Sequence, residues 1–427
     1  MGIDIGTSGC RAIAIDRHGA PAGAARAPLP APVREGPASH QDPDLWWKGV
    51  LDALGALLAE LPPGRIRAIA VDGTSGTLLL AAPDGTPLTT GRMYDDAAAV
   101  EQAGLIAGCA PPSSPVNTAT SSLAKLLLMK PGIQNRQRIL ALHQADWVAG
   151  KLSGRFGISD INNALKLGYD AVTERWPDWL EQLPLDRSWL PTVRPVGSVI
   201  GPVLTELATR FGLDADTLVV TGTTDSTASV MATGARRPGD AVTVLGSTMV
   251  FKVVTTRPVS DGASGVYSHR YGDSWLAGGA SNSGGAVLAD FFSPDQLRRL
   301  EAEVEPDKPT GLDYYPLLRP GERFPFNDPS MPPRLEPRPA SDAKFLQGML
   351  EGMAAIEAAA YRRLSELGCP RPLRILTVGG GSGNVAWQRI RERTLGIPVF
   401  PARHQEAAYG TALVARRGHS ENVSRSH

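Results

Sequence analysis

Two acidic residues and four turns carry the chemical potential of this chain. Asp225 stands in Gly222-Thr223-Thr224-Asp225-Ser226, after the apolar run Thr217-Leu218-Val219-Val220 and before a small-residue segment over 227–234. The pattern reads as a strand running into a helix, and a carboxylate at the mouth of such a turn is well placed to take a proton from a substrate. Asp is also a common helix cap, and the pentapeptide alone does not separate the two roles. Asp4 lies within Gly2-Ile3-Asp4-Ile5, where a charge in a strand is costly unless it binds something. That strand enters Gly6-Thr7-Ser8-Gly9 and leaves through Cys10-Arg11-Ala12-Ile13-Ala14-Ile15. The alternation predicts a β-hairpin whose turn offers backbone N–H groups and the hydroxyls of Thr7 and Ser8 to phosphate oxygens. It is not a Walker A loop, because no Gly-Lys-Ser/Thr follows. Strand, hydroxyl-bearing turn and strand recur over 67–82 around Gly73-Thr74-Ser75-Gly76, where Thr74 and Ser75 suit sugar hydroxyls, and over 239–254 around Gly246-Ser247-Thr248. The strand Arg374-Ile375-Leu376-Thr377-Val378 then meets Gly379-Gly380-Gly381-Ser382-Gly383-Asn384, a glycine-rich turn that lets backbone approach a nucleotide. Phosphoryl transfer needs these parts: backbone N–H groups for ATP phosphates, an acid for Mg²⁺ and a base for the attacking hydroxyl.

The elements that must position these turns follow in order. Residues 17–40 read as a loop with an edge strand. Asp42-Pro43 opens a helix with Asp as N-cap and Pro at the first position. Trp47, Leu51, Leu54, Leu58 and Leu61 continue it at core spacing. Residues 97–155 read as helical, and Asp146 and Asn162 as structural hydrogen-bonders. Residues 171–216 read as helices and Pro-rich connections. The excursion over 302–340 is Pro-rich, a long helix spans about 343–367 with Gly368 as its C-cap, and the tail from Arg416 reads as polar and frayed. The similar hairpins at 2–16 and 239–254 suggest duplication of one α/β unit. Almost nothing precedes Asp4, so either the first strand is short or the start lies upstream.

Composition narrows the class. A chain of 427 residues implies two domains. Lys plus Arg and Asp plus Glu are 43 each, so charge gives no argument for nucleic acid or an anionic membrane as partner. The three cysteines, Cys10, Cys109 and Cys369, are scattered and form no metal spacing or disulfide framework, which points to a reducing, cytoplasmic setting. No signal peptide or membrane-spanning run is read.

With these motifs in order, the chain resembles the FGGY family of carbohydrate kinases, in the actin-like ATPase superfamily. The resemblance rests on Asp4-Ile5-Gly6-Thr7-Ser8-Gly9, Gly222-Thr223-Thr224-Asp225, Leu245-Gly246-Ser247-Thr248, Gly278-Gly279-Ala280, Gly379-Gly380-Gly381 with Asn384, and Glu406-Ala407-Ala408-Tyr409-Gly410. It implies an α/β fold of two ribonuclease-H-like domains with mixed sheets flanked by helices and a cleft between them. Domain 1–228 would bind mainly sugar and domain 229–427 mainly ATP. It implies Asp225 as catalytic base, Asp4 and Thr7 (with Ser8) at the Mg²⁺ and phosphate end, and Gly246, Ser247 and Thr248 as the second phosphate hairpin. Gly380, Gly381 and Asn384 would form the adenine side, with Trp387 stacking nearby. The segment 72–77 lacks the Gln-Met-His-Gly of xylulokinases and resembles the plant and cyanobacterial xylulokinase-like group associated with D-ribulose, as do 163–169 and 265–269. Ser75 would then contact the ketose beside Asp4 and Asp225. Met93-Tyr94-Asp95-Asp96 departs from the family pattern. The partners implied are a sugar and ATP, with the chain a monomer or homodimer. The sugar reading is D-ribulose, with D-xylulose as its alternative.

Two readings from other classes are open at this level. A dinucleotide-binding oxidoreductase would use the Gly379 turn, but Asn384 stands where the fingerprint wants Gly and no acidic residue ends the next strand. An actin-like nucleotide binder without sugar turnover would not need Asp4, Thr7 and Asp225 together.

Overall fold

The computed structural model describes residues 1–130 and 138–425, and they form two compact units. The first takes Met1–Ala232 and resumes from Glu406 onward; the second is Thr233–Gln405. In the first unit, β1 (Gly2–Ile5), β2 (Gly9–Ile15), β3 (Pro21–Pro28), β4 (Ala68–Gly73), β5 (Val199–Pro202) and β6 (Leu218–Thr224) make a six-stranded sheet in the order β5-β6-β4-β1-β2-β3. β1 runs antiparallel to β2 and parallel to β4, and β4 is parallel to β6. The helices that matter to the site are α1 (Pro43–Ala59), α2 (Ser122–Met129), α3 (Gln144–Ser153) and α4 (Asp225–Thr233). α1 starts where Asp42 accepts from the Asp44 amide with Pro43 at the first turn, and it buries Trp46, Val50, Ala53, Leu54 and Leu57. These side chains join Ile3, Ile5, Ile69 and Val71 in one core.

The second unit repeats the scheme. β7 (Asp240–Leu245), β8 (Met249–Thr255), β9 (Tyr267–Tyr271), β10 (Ser274–Ala280), β11 (Arg374–Val378) and β12 (Val399–Pro401) lie in the order β9-β10-β8-β7-β11-β12. Each unit has a central strand, β1 or β7, with a hairpin partner on one side and two parallel strands on the other. The duplication suggested by the two hairpins is present in the strand order. α5 (Asp342–Glu366) packs Met349, Met353, Ile356, Ala360 and Leu364 into this core, and α6 (Val385–Leu395) adds Trp387 and Ile390.

Several local expectations change. Residues 17–40 contain β3 and two short strands, Val33–Glu35 and Ala38–Gln41. The span 97–155 holds a strand, Leu140–His143, between its helices, and its residues 131–137 lie outside the described ones. The second Gly-Thr-Ser-Gly turn is not a hairpin: Leu78–Ala81 pairs with Leu140–His143 in another sheet, not with β4. The tail does not fray at Arg416, because the helix Ala407–Arg425 continues through it. A division at 228/229 puts this helix in the second half of the chain; in the fold it is part of the first unit. It packs in the first unit because glycines let backbones meet: a Cβ on Gly2 would lie 2.2 Å from Ala408 O, and one on Gly410 1.9 Å from Ala228 O.

Gly222 permits the closest approach in the main sheet, since a Cβ there would sit 1.6 Å from Val71 O. Overpacking of this kind costs about 1–3 kcal/mol or more. Gly222→Ala is expected to lower the thermal midpoint by several degrees and to reduce soluble yield. A midpoint unchanged from wild type would show that β4 and β6 can spread without cost.

Candidate active site

Strand register assembles the acidic centre. Asp4 pairs with Arg11 on one side and Asp72 on the other, and Asp72 pairs with Thr223, so four strands contribute to one row. Asp4 is buried, and its Oδ2 accepts from Arg11 Nη1 at 3.0 Å. Arg11 Nε lies 3.5 Å from Glu406, which also pairs with Arg26 at 2.7 Å. Asp72 is fully buried; Thr411 of the last helix donates to its Oδ2, and no N–H or O–H donor among the described residues reaches its Oδ1. The Asp4 carboxyl is within hydrogen-bonding reach of it. Two buried carboxyls this close do not both ionise, so the pair holds a proton. Burial, then the charge of Asp4, pushes the Asp72 carboxyl well above the usual carboxylate range. Burial also raises Asp4, opposed by its hydrogen bond with Asp72 and by Arg11.

Asp225 is the first residue of α4 and half-buried. Its Oδ1 accepts from the Ser226 amide at 2.6 Å. Burial first, then Asp4, pushes its carboxyl up to about 6, against the Ser226 and Ser75 amides and the Lys166 ammonium. No cation forms a salt bridge with it among the described residues. Thr224, one residue earlier, holds the local geometry through its hydroxyl, 2.9 Å from Thr227 Oγ1. The backbone-ordering role is thus shared with Thr224, and the Asp225 carboxyl keeps acceptor capacity for a substrate proton.

The turn between β1 and β2 closes through Gly6 N–H to Gly9 O at 3.0 Å, leaving Thr7 half-exposed and Ser8 exposed. Tyr94, 43% exposed, is within hydrogen-bonding reach of Thr7 and feels the charge of Asp225. In the Gly73 turn the two hydroxyls divide. Thr74 is buried and committed to Thr77 and Gln144, so it is not available to a sugar. Ser75 is half-exposed, with its amide on Asp225 and its carbonyl 3.1 Å from Lys166 Nζ. Asp95 and Asp96 are held by Arg34, and by Arg92 and the Ser39 amide. His143 and Thr223 engage Asp146 and Asn162, consistent with structural roles for that pair.

The second unit carries the other turns. Residues 246–248 form the tight link between β7 and β8, with Ser247 exposed. The start of the helix Gly285–Phe291 closes on them, Gly285 N–H to Gly246 O at 2.8 Å and Ala286 N–H to Ser247 O at 3.1 Å. After β11 the chain makes the 3-10 turn Gly380–Gly383, in which Gly380 and Gly383 border open space. Asn384 caps α6, its Oδ1 accepting from the Trp387 amide at 2.7 Å. Trp387 is 3% exposed and packs beneath Gly381. The ring belongs to the core, which corrects the expectation that it stacks on a base.

Sequence reasoning singles out Asp4, Asp225 and Ser75, and the structure brings them together in the first unit. It passes over Asp72, Arg11, Thr411 and Lys166. Asp72 alone had a signal: like Asp4, it is an acid inside an apolar strand. Among the described residues no group of three or more His, Cys, Asp or Glu is placed to hold a metal ion. Mg²⁺ typically takes one or two carboxylates with water and substrate phosphates, and the Asp4–Asp72 pair would meet that smaller demand by giving up the proton it holds.

Two sheets of this order, each with flanking helices and a turn-bearing hairpin, define the ribonuclease-H-like architecture of actin-like ATPases. The chain belongs to the FGGY family of carbohydrate kinases: its N-terminal domain model matches residues 1–232 and its C-terminal domain model residues 241–418. An autoinducer-2 kinase of Yersinia enterocolitica is 26% identical, over 98% of this chain and 86% of its own length. Among solved structures, a xyloylose kinase from Brucella ovis superposes with TM-score 0.87 at 24% identity, covering 98% of this chain and 90% of that one. A glycerol kinase from Plasmodium falciparum with ADP gives TM-score 0.86 at 14% identity, covering 98% and 88%. The family uses ATP. Among the described residues no helix is long and apolar enough to cross a membrane.

Proposed function

We propose that this kinase transfers the γ-phosphoryl group of ATP to the C5 hydroxyl of a ketopentose, D-ribulose, giving D-ribulose 5-phosphate and ADP. The observation that carries the reading is the Asp225 carboxyl at the start of α4, which has no salt bridge among the described residues, lies beside Asp4 and the Ser75 amide, and is raised to about 6, so that it is ionised and basic near neutrality. Asp225 accepts the hydroxyl proton as the C5 oxygen bonds to the γ-phosphorus and the bond to ADP breaks. Asp4 and Ser75 hold the sugar. Thr7 and Ser8, with Gly246, Ser247 and Thr248, take the phosphates, and Gly380, Gly381 and Asn384 the adenine side. Mg²⁺ held through Asp4 would neutralise phosphate charge.

Support for D-ribulose is the resemblance of the 72–77 segment, which lacks Gln-Met-His-Gly, to the xylulokinase-like group associated with D-ribulose; in that segment Thr74 and Thr77 are buried and Ser75 is half-exposed. The sugar is read by stereocentres, so a coupled ADP-release screen decides it. The panel is D-ribulose, D-xylulose, L-ribulose, glycerol and autoinducer-2, the substrate named for the Yersinia relative, each with and without Mg²⁺. Saturable turnover with D-ribulose is expected. Saturation with D-xylulose alone would replace the substrate and keep the kinase, whereas ATP binding without turnover of any sugar would favour an actin-like nucleotide binder.

A further inference from the structure

Lys125 is an unusual residue for its place. It lies in α2, whose side chains are nearly all buried, and its own is fully buried. Its Nζ makes no salt bridge among the described residues. It donates instead to two backbone carbonyls, Gly76 O at 2.8 Å and Met93 O at 2.6 Å. Burial lowers its ammonium to about 7, with Lys166 and Arg92 acting in the same direction and Asp96 and Asp95 opposing. A buried cation hydrogen-bonded to carbonyls and not to an acid is costly, so the two segments it joins are informative. The first is the Gly73 turn, where the neighbouring carbonyl of Ser75 is held in turn by Lys166 at 3.1 Å. Lys166 also crowds Gly76, since a Cβ there would lie 3.2 Å from its Cδ. The second is the Met93-Tyr94 segment. Each joined segment carries a group at the acidic centre: the Ser75 amide binds Asp225, and Tyr94 reaches Thr7 beside the same carboxylate.

We propose that Lys125 is a positioning residue that fixes the spacing between the Ser75 turn and the Met93-Tyr94 segment, and thereby sets which sugar those two segments admit beside Asp225. The inference rests on the kinase reading above. One ammonium supplies the diverging N–H donors that two carbonyls from different segments require. A methionine of similar length fills the volume but takes the donor from Gly76 O and leaves Met93 O with only the Asp96 amide at 3.0 Å, so the link between the two segments is lost and they separate or admit water. Tyr94 becomes a wall of the sugar site, in place of the residues that the family pattern puts there.

The test compares wild type, Lys125→Met and Lys166→Met, with folding checked by circular dichroism, and measures KM for sugar and for ATP separately together with the preference between D-ribulose and D-xylulose. Lys125→Met is expected to raise the sugar KM about tenfold or more, the scale of a lost charged hydrogen bond, to leave the ATP KM within about twofold, and to narrow the preference between sugars. If Lys125→Met does not fold, Lys166→Met, half-exposed and tied to Ser75, carries the test with the same expected split. A folded variant that retains wild-type sugar KM and preference, or that shifts both KM values equally, overturns the inference. Wild type that phosphorylates no sugar refutes the kinase reading instead, before any variant is compared.

Discussion

Asp225→Asn is expected to lower sugar-dependent ADP release by about 10²–10⁴-fold and, at pH 7, to raise the thermal midpoint. The two effects have one cause. The carboxyl titrates near 6 in the folded chain against an ordinary value of 3.8. Between about pH 4 and 6 the folded state therefore binds more protons than the unfolded state, and stability falls as pH rises through that window. Above it the cost is complete, because an ionised group stays half-buried near Asp4. Asn cannot ionise, yet it keeps an oxygen for the Ser226 amide, so it relieves the cost and removes the base together. Melting curves at pH 4 and pH 7 check the sign: the gain belongs at pH 7 and vanishes at pH 4. Wild-type kcat/KM should show an acid limb near pH 6. Near-normal turnover by Asp225→Asn would remove this residue from the mechanism.

The second large effect lies in the second unit. Glu357 of α5 and Arg391 of α6 form a bidentate pair at 2.6 and 2.7 Å, both fully buried. Arg391 also donates to Thr377 of β11 at 2.8 Å, and Thr243 of β7 donates to Glu357 at 2.5 Å while meeting Tyr361 at 2.7 Å. The network thus ties two helices to the two strands that lead into residues 246–248 and 379–384. Glu357→Ala leaves Arg391 buried without a counter-charge, a change worth about 3–5 kcal/mol. The expected result is unfolding of the second unit at a denaturant concentration that wild type withstands, read as lost hydrogen-exchange protection in peptides from β7 and β11. Because a two-unit chain is not a single two-state system, exchange localises what a bulk melt would average. Protection of β7 and β11 unchanged from wild type would show that Arg391 finds other partners.

These cases show which parts of the molecule its local pattern reveals. The β1–β2 hairpin is legible because alternation and a Gly-Thr-Ser-Gly turn are both local. Asp225 is legible because a strand, a turn and a small-residue helix adjoin in sequence. The Asp4–Asp72 pair is half-legible: each acid interrupts an apolar strand, but their contact depends on parallel pairing between β1 and β4, which no local signal encodes. Lys125 reads as an ordinary lysine in Ser-Leu-Ala-Lys-Leu-Leu-Leu, since its acceptors are carbonyls supplied by distant turns. Glu357 and Arg391 each look like surface charges on an amphipathic helix until the helices are placed together. Thr74 looked like a sugar contact by type, and only the position of Gln144 shows its hydroxyl to be spent.

The return of the last helix to the first unit has a consequence for how the protein is made. A ribosome releases residues 1–232 first, yet the helix that packs on β1 and β4 emerges only after the second unit has been translated, a delay of roughly 10–35 s at ordinary synthesis rates. Through that interval one face of the first sheet lacks its cover, while the second unit, continuous in the chain, can finish. The order of completion is therefore the reverse of the order of synthesis. Thr411 reaches Asp72 last of all, so the acidic centre is completed only when translation of the helix that carries Thr411 is over.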